Sequence, residues 1–277
     1  MISVATTTHA FEALPGFAPR PGITHVVFDF DGTLSWLRHG WPEIMLEIFL
    51  PLLPRRADDT ESAIHENLLA DIYALNGKLT IHQMIRFAER VRERGGTPPD
   101  PEELRQRFQA TLDQRIAERA AKIREAKVRP EDFVIHGAGA LLEKITARGL
   151  KLFILSGTLE DRVCEEGALV GVARFFGARI IGSRQNEPFS KLAHFDQILR
   201  EEHISGANLL SFGDGAVEIE ATKKLGGLAI GVASDEMHNG SGAMEPHKRR
   251  ALLAAGADAL IADYREPDAL LARLLGA

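Results

Sequence analysis

The chain has one cysteine in 277 residues, Cys164. A single thiol excludes an internal disulfide and any cysteine-cluster metal site. Its setting, Asp-Arg-Val-Cys-Glu-Glu-Gly, predicts a helix on which Cys164 serves as a small buried hydrophobe. Long apolar runs are also missing. The densest stretch, Ile44 to Leu53, is broken by Glu47 and Pro51 and falls short of the ~20 residues a membrane helix needs, so no membrane partner is expected. Positive charge is not in excess. Thirty-three Lys and Arg face 39 Asp and Glu, net −6, which argues against nucleic acid as a partner. The N-terminus has neither a basic start nor a signal-type apolar core, so a cytoplasmic protein is expected. What is present, 45% hydrophobic and 26% charged residues, is the mix of an ordinary globular chain of one large or two modest domains.

Residues 1–22, punctuated by Pro15, Gly16, Pro19, Pro21 and Gly22, read as a leader outside the core. Thr24 to Phe30 is the first strong strand, and its unbroken apolar run suits a parallel sheet covered on both faces. Short apolar runs recur at Lys151–Leu155, Arg179–Gly182, Asn208–Phe212, Leu228–Val232 and Ala259–Asp263, separated by helical patterns. That alternation predicts a βαβ array over 131–277. Residues 36–129 differ, because no strand pattern occurs there. Ile64, Leu68, Ile72 and Leu75 form a helical stripe ending at Asn76-Gly77. Thr80 and Gln83 read as a capping box, and Asp100-Pro101 as the start of a long helix carrying Leu104, Phe108, Leu112, Ile116, Ala120 and Ile123 on one face. About four helices are thus inserted after the first strand of an α/β domain.

The first strand runs into Asp29-Phe30-Asp31-Gly32-Thr33-Leu34. Ligands of open parallel sheets bind beyond the carboxyl ends of the strands. Carboxylates at i and i+2 share one side of an extended chain, and two like charges held so close call for a cation between them. Other strand ends add to this one. Ser156-Gly157-Thr158 offers a hydroxyl and free backbone N–H groups ahead of a helix, a phosphate cradle. Gly213-Asp214-Gly215, with Glu218 one turn later, offers hard oxygen ligands suited to Mg²⁺. Ser190-Lys191 opens a helix between them.

This order of features resembles the haloacid dehalogenase superfamily of phosphotransferases. Its four motifs match Asp29–Leu34, the strand ending at Ser156, Lys191, and Gly213–Glu218. The resemblance implies a doubly wound, Rossmann-like parallel-sheet core at 23–35 and 130–277, with an all-helical C1-type cap at 36–129. It implies Asp29 as nucleophile forming an aspartyl-phosphate and Asp31 as general acid and base. Ser156 and Lys191 would bind the non-bridging phosphate oxygens. Mg²⁺ would be held by Asp29, the carbonyl of Asp31 and Asp214, with Glu218 orienting Lys191 or a metal-bound water.

Within that superfamily the second acid, Asp31, argues for phosphate esters rather than haloacids or phosphonates. The fourth motif departs from the related form Gly-Asp-Gly-x-Asn-Asp, since Val217 replaces the Asn and Glu218 the Asp. The expected activity is a Mg²⁺-dependent phosphatase acting on a small phosphorylated metabolite, by analogy a sugar phosphate or a phosphoglycolate-like acid. A phosphomutase is the alternative, and a phosphoacceptor module a remote one. Substrate contacts are expected from Gly157 and Thr158 and, in the cap, from Arg38, His39 and Lys78. The loop Ser234–Lys248 reads as exposed and polar, although its Asp235 and Glu236 lie close enough in sequence to edge the site.

Overall fold

A computed structural model describes residues 11–185 and 187–276. A short strand, β1 (Phe11–Ala13), precedes β2 (His25–Phe28). Four helices follow: α1 (Trp41–Phe49), α2 (Glu61–Ala74), α3 (Ile81–Glu93) and α4 (Pro101–Arg124). The chain then alternates through α5 (Ala138–Ala147), β3 (Lys151–Leu159), α6 (Glu160–Leu169), β4 (Ile180–Ser183), α7 (Lys191–Glu201), β5 (Leu209–Gly213), α8 (Ala216–Lys224), β6 (Leu228–Val232), α9 (Pro246–Ala254), β7 (Ala259–Ile261) and α10 (Pro267–Leu275).

Seven strands form one sheet in the order β1-β7-β6-β5-β2-β3-β4. All neighbours are parallel except β1, which pairs antiparallel with β7. The chain leaves β2 towards β3 and β4, then returns to the other side through β5, β6 and β7. The winding therefore reverses around β2, where a crevice opens at the carboxyl ends of the strands. Both faces are covered, as the apolar runs require: Val26 and Phe28 join the main core, while Val27 packs on the opposite face with Phe153 and Phe195. Phe28 stacks on Phe212 of β5, ring centroids 4.9 Å apart.

The leader expectation needs correction from residue 11 onward. Phe11–Ala13 pairs with Ile261, Leu260 and Ala259, and Phe11 and Phe17 pack against the main core. Three sheet residues are too few to show a periodic pattern. Residues 1–10 lie outside the described part of the chain.

The inserted helices bury their own apolar cluster, including Met45, Phe49, Leu68, Met84, Phe87, Phe108 and Leu112, with Phe49 and Phe87 stacked at 4.1 Å. Asp100 caps α4 by accepting from the amides of Glu102 (2.7 Å) and Glu103 (3.4 Å). The capping box at Thr80 and Gln83 does not form. Thr80 already has helical backbone angles and its side chain caps nothing, while Gln83 Nε2 donates to the carbonyl of Ile72 (3.0 Å) and ties α3 to α2. The two segments joining insert to sheet run side by side. Trp36 N donates to Phe133 O (2.8 Å), and Ile135 N to Leu34 O (2.9 Å). Cys164 is exposed, not buried, because α6 turns Val163, Glu166 and Gly167 inward and Cys164 falls off that stripe. Among the described residues no helix is long and apolar enough to cross a membrane.

Candidate active site

The carboxyl ends of β2, β3 and β5 and the insert enclose a cavity of about 670 Å³. Asp29 follows β2 directly and is held by its amide donating to Phe212 O (2.9 Å). Its carboxylate is buried, and Lys191, the first residue of α7, donates to Oδ1 at 2.9 Å. Lys191 also contacts Glu218 of α8. Burial pushes the Asp29 carboxyl up to about 6; Lys191 opposes the rise, whereas Asp214 and Asp31 add to it.

After Asp29 the chain turns sharply. The amides of Leu34 (2.9 Å) and Ser35 (2.8 Å) both donate to Phe30 O. Gly32 takes a left-handed φ of 71°, and a Cβ there would stand 2.2 Å from Asp214 Oδ2. Only glycine satisfies both demands, which is why the strand-end motif and the Gly-Asp-Gly turn of β5 can approach.

Asp31 is braced from two sides. Thr158 Oγ1 donates to Oδ2 (2.7 Å), and Arg38 Nε lies 3.0 Å from Oδ1. Arg38 also forks onto Glu166 of α6 (NH2 to Oε1, 2.6 Å), so its guanidinium is committed within the protein. Burial opposes the charge on Arg38, but Asp31 and Glu166 outweigh it and strengthen its protonation. Glu166 is itself pushed up, by burial first.

Several expected site residues have other tasks. β3 continues to Leu159 with a register irregularity after Leu155, so Ser156-Gly157-Thr158 is not a loop ahead of a helix. The Thr158 amide donates to Ser156 Oγ (3.1 Å) and its hydroxyl serves Asp31. Ser156 is buried and, like Gly157, lines the cavity. His39 stacks on Trp36 at 3.7 Å, and burial, then Arg119, push its pKa down to about 4. Lys78 lines the cavity mouth and is exposed.

Sequence reasoning misses Lys248 and Asn76, and names Glu236 only as an edge of the site. Lys248 of α9 is fully buried, with Nζ 3.0 Å from Asp214 Oδ2 and 3.0 Å from Ser234 Oγ, and in contact with Glu236. Burial opposes its charge, yet Glu236 and Asp214 outweigh burial and raise its pKa. Glu236, expected in an exposed loop, is buried, which raises its pKa. Asn76, read as a helix C-cap, reaches the same place: Nδ2 donates to Asp214 O (3.1 Å) and Oδ2 (3.2 Å). The polar composition of 234–248 hides the burial, and Lys248, the first of three consecutive basic residues, carries no local signal of it.

The donor set suits a divalent cation. The buried acids Asp29, Asp214, Glu218 and Glu236 outnumber Lys191 and Lys248, the two lysines that pair with them. Lys191 takes Asp29 Oδ1, and Lys248 with Asn76 takes Asp214 Oδ2. Among the described residues nothing donates to Asp29 Oδ2 or Asp214 Oδ1. Glu218 Oε2 and Asp31 Oδ1 are buried without a hydrogen bond, although Arg38 neutralises the latter electrostatically. Two carboxylates and backbone oxygen, completed by water, are what Mg²⁺ accepts. No group of three or more His, Cys, Asp or Glu among the described residues forms a complete metal cage.

A search of curated proteins finds no significant match. Among solved structures, a conserved haloacid dehalogenase-like protein of unknown function from Agrobacterium tumefaciens is similar at TM-score 0.63 and 16% identity, covering 90% of this chain and 98% of its own. A predicted phosphoglycolate phosphatase from Haemophilus somnus gives 0.60 and 14%, with the same coverage of 90% and 98%. A candidate beta-phosphoglucomutase from Bacteroides vulgatus gives 0.60 and 17%, covering 93% and 90%. These likenesses establish the fold. The family model for haloacid dehalogenase-like hydrolases matches residues 23–226, well over half the sequence, and the chain belongs to that family.

Proposed function

We propose that this hydrolase cleaves phosphomonoesters of small molecules at a Mg²⁺-dependent site, with residues 36–129 acting as a cap over a core of 23–35 and 130–277. The observation that carries the reading is the buried Asp29–Lys191 pair (2.9 Å) at the sheet's switch point, beside Asp31 and Asp214. An Asp29 oxygen attacks phosphorus, the phosphorus–ester oxygen bond breaks, and the leaving alkoxide takes the proton of the Asp31 carboxyl. Water then attacks the aspartyl-phosphate and gives a proton to Asp31. The Asp29–phosphorus bond breaks, inorganic phosphate leaves, and both acids return to their starting states. Lys191 and Ser156, both lining the cavity, meet the charge on the non-bridging oxygens, and Glu218 positions Lys191. Arg38 and Thr158 position Asp31 rather than grip the substrate. A bound Mg²⁺ would be held by Asp29, Asp214 and the carbonyl of Asp31, neutralising charge on the phosphoryl group. The insert keeps bulk water from the intermediate.

The test is phosphate release from p-nitrophenyl phosphate and a phosphometabolite panel. EDTA should stop it and Mg²⁺ restore it. Full activity without metal, or in Asp29→Asn, contradicts the proposed site. Isomerisation of a hexose 1-phosphate faster than phosphate release would replace hydrolysis by a mutase reaction.

A further inference from the structure

The cavity wall opposite the sheet ends is apolar. Trp36, Trp41, Met45, Phe108 and Leu112 line it, and Met45, Phe108 and Leu112 belong to the insert's buried core, so their positions are fixed by packing. Most polar groups nearby are already engaged. Arg38 is held by Asp31 and Glu166, and His39 Nδ1 lies 2.8 Å from Trp36 O. Trp36 Nε1 donates to Asp235 O (3.2 Å), and Gln83 Nε2 to Ile72 O (3.0 Å). Among the described residues this leaves, on the wall itself, the Trp41 indole N–H, the Gln83 amide oxygen and the Thr80 hydroxyl without partners; the other unengaged charged or imidazole side chains that line the cavity, Lys78, His82, Glu220 and Lys224, are exposed. A sugar would bury more hydroxyls than these groups can satisfy. A glycolate would leave most of the 670 Å³ empty.

We propose that the site takes the phosphomonoester of an apolar, ring-bearing alcohol, an arylmethyl phosphate in chemical class. This rests on the hydrolase reading, and the test separates the two. Benzyl phosphate should exceed glucose 6-phosphate and phosphoglycolate in kcat/KM by about 30-fold or more, the scale expected for burying a ring. Independently of turnover, phenylphosphonate should bind the Mg²⁺-loaded protein at least about 10-fold more tightly than methylphosphonate by calorimetry. Met45→Gln and Leu112→Asn, checked for folding by circular dichroism, should each narrow that gap. If no ester is cleaved, the hydrolase reading fails and the phosphonate pair still decides the wall. Equal phosphonate binding, or glucose 6-phosphate as the better ester, overturns the substrate class alone.

A different observation supports a second inference. Asn76 Oδ1 accepts from the Gly77 amide (3.0 Å), which orients its Nδ2 onto Asp214. Gly77 has φ of 82°, and a Cβ on Gly215 would lie 3.2 Å from Asn76 O, so two glycines let the α2–α3 loop seat on the Gly-Asp-Gly turn. We infer that Asn76 is a positioning residue that supplies, from the insert, the amide that Val217 lacks. Asp214 is then fully oriented only when the insert is seated. Asn76→Ala should weaken Mg²⁺ binding about 10-fold in a titration without substrate. Val217→Asn in that background should restore most of it. Unchanged Mg²⁺ affinity in Asn76→Ala, or no recovery with Val217→Asn, overturns the inference.

Discussion

The two halves of the cavity are built on opposite principles. On the sheet side, charges interlock: Lys191 joins Asp29 to Glu218, Lys248 joins Asp214 to Glu236, and Arg38 joins Asp31 to Glu166. On the insert side, packed Met45, Phe108 and Leu112 present surface with few free polar groups. Oriented charge stabilises a transition state because it needs no rearrangement during reaction. Apolar surface discriminates between substrates but does little for the bond-breaking step. On the proposed reading, charge for the chemistry gathers at the strand ends and apolar surface for selectivity on the insert, with Arg38 and Asn76 reaching from the insert to brace Asp31 and Asp214.

That division can be broken at several points. The largest effect should come from Asp29→Asn, with turnover falling on the order of 10⁴-fold or more in a phosphate-release assay. Lys248→Met should come next. It leaves Asp214 and Glu236 without their shared cation and should cost about 3 kcal/mol in urea unfolding at neutral pH. Adding Glu236→Gln should recover part of that loss. If Lys248→Met instead altered ester preference at unchanged stability, the division would be wrong.

Asp29, the proposed nucleophile, should also weaken the fold. The folded protein raises the Asp29 pKa from 3.8 to about 6, so it binds the proton more tightly than the unfolded chain does. Stability from this group is complete below about pH 4, and it declines as pH rises towards and past 6. Metal-free Asp29→Asn should accordingly be more stable than the parent at pH 7.5, by up to about 3 kcal/mol in urea unfolding, with the advantage vanishing near pH 4. Adding Mg²⁺ should shrink it. The smallest effect belongs to the Arg162–Asp113 bridge (2.6 Å) between α6 and α4. Both side chains are partly exposed, and Arg162→Ala should cost below about 1 kcal/mol in thermal unfolding.

The parts legible in the sequence were those whose meaning is local. Asp29, Asp31 and Asp214 stand where apolar strands stop, and a strand end followed by glycine announces itself in a few residues. The α/β core followed from contiguous runs such as Val26–Phe28, and the fold agrees. Lys191 was recognisable only through the order of motifs, since a lysine opening a helix is ordinarily solvated. Residues whose meaning depends on a distant partner were not legible. Lys248 lies in polar sequence, and its burial is tolerated because Asp214, 34 positions earlier, and Glu236 converge on it. α2 stops at Ala74, just ahead of the Asn76-Gly77 pair that signals its end, but nothing local shows that the Asn76 amide reaches Asp214. Arg38, just past the catalytic strand, and Thr158, in the Ser-Gly-Thr segment, read as substrate contacts from position alone, which does not show that both turn to Asp31.

The antiparallel edge strand bears on how copies of this chain meet one another. Without Phe11–Ala13, the outer side of β7 would present unpaired backbone donors and acceptors, a template on which a second molecule can add a strand. Those three residues lie ahead of the stretch, 23–226, that defines the family. A version trimmed to that stretch's start would keep Asp29, Asp31, Lys191 and Asp214 and expose an adhesive edge. Protection of the sheet's edge and the cavity at its centre thus draw on separate segments of the sequence.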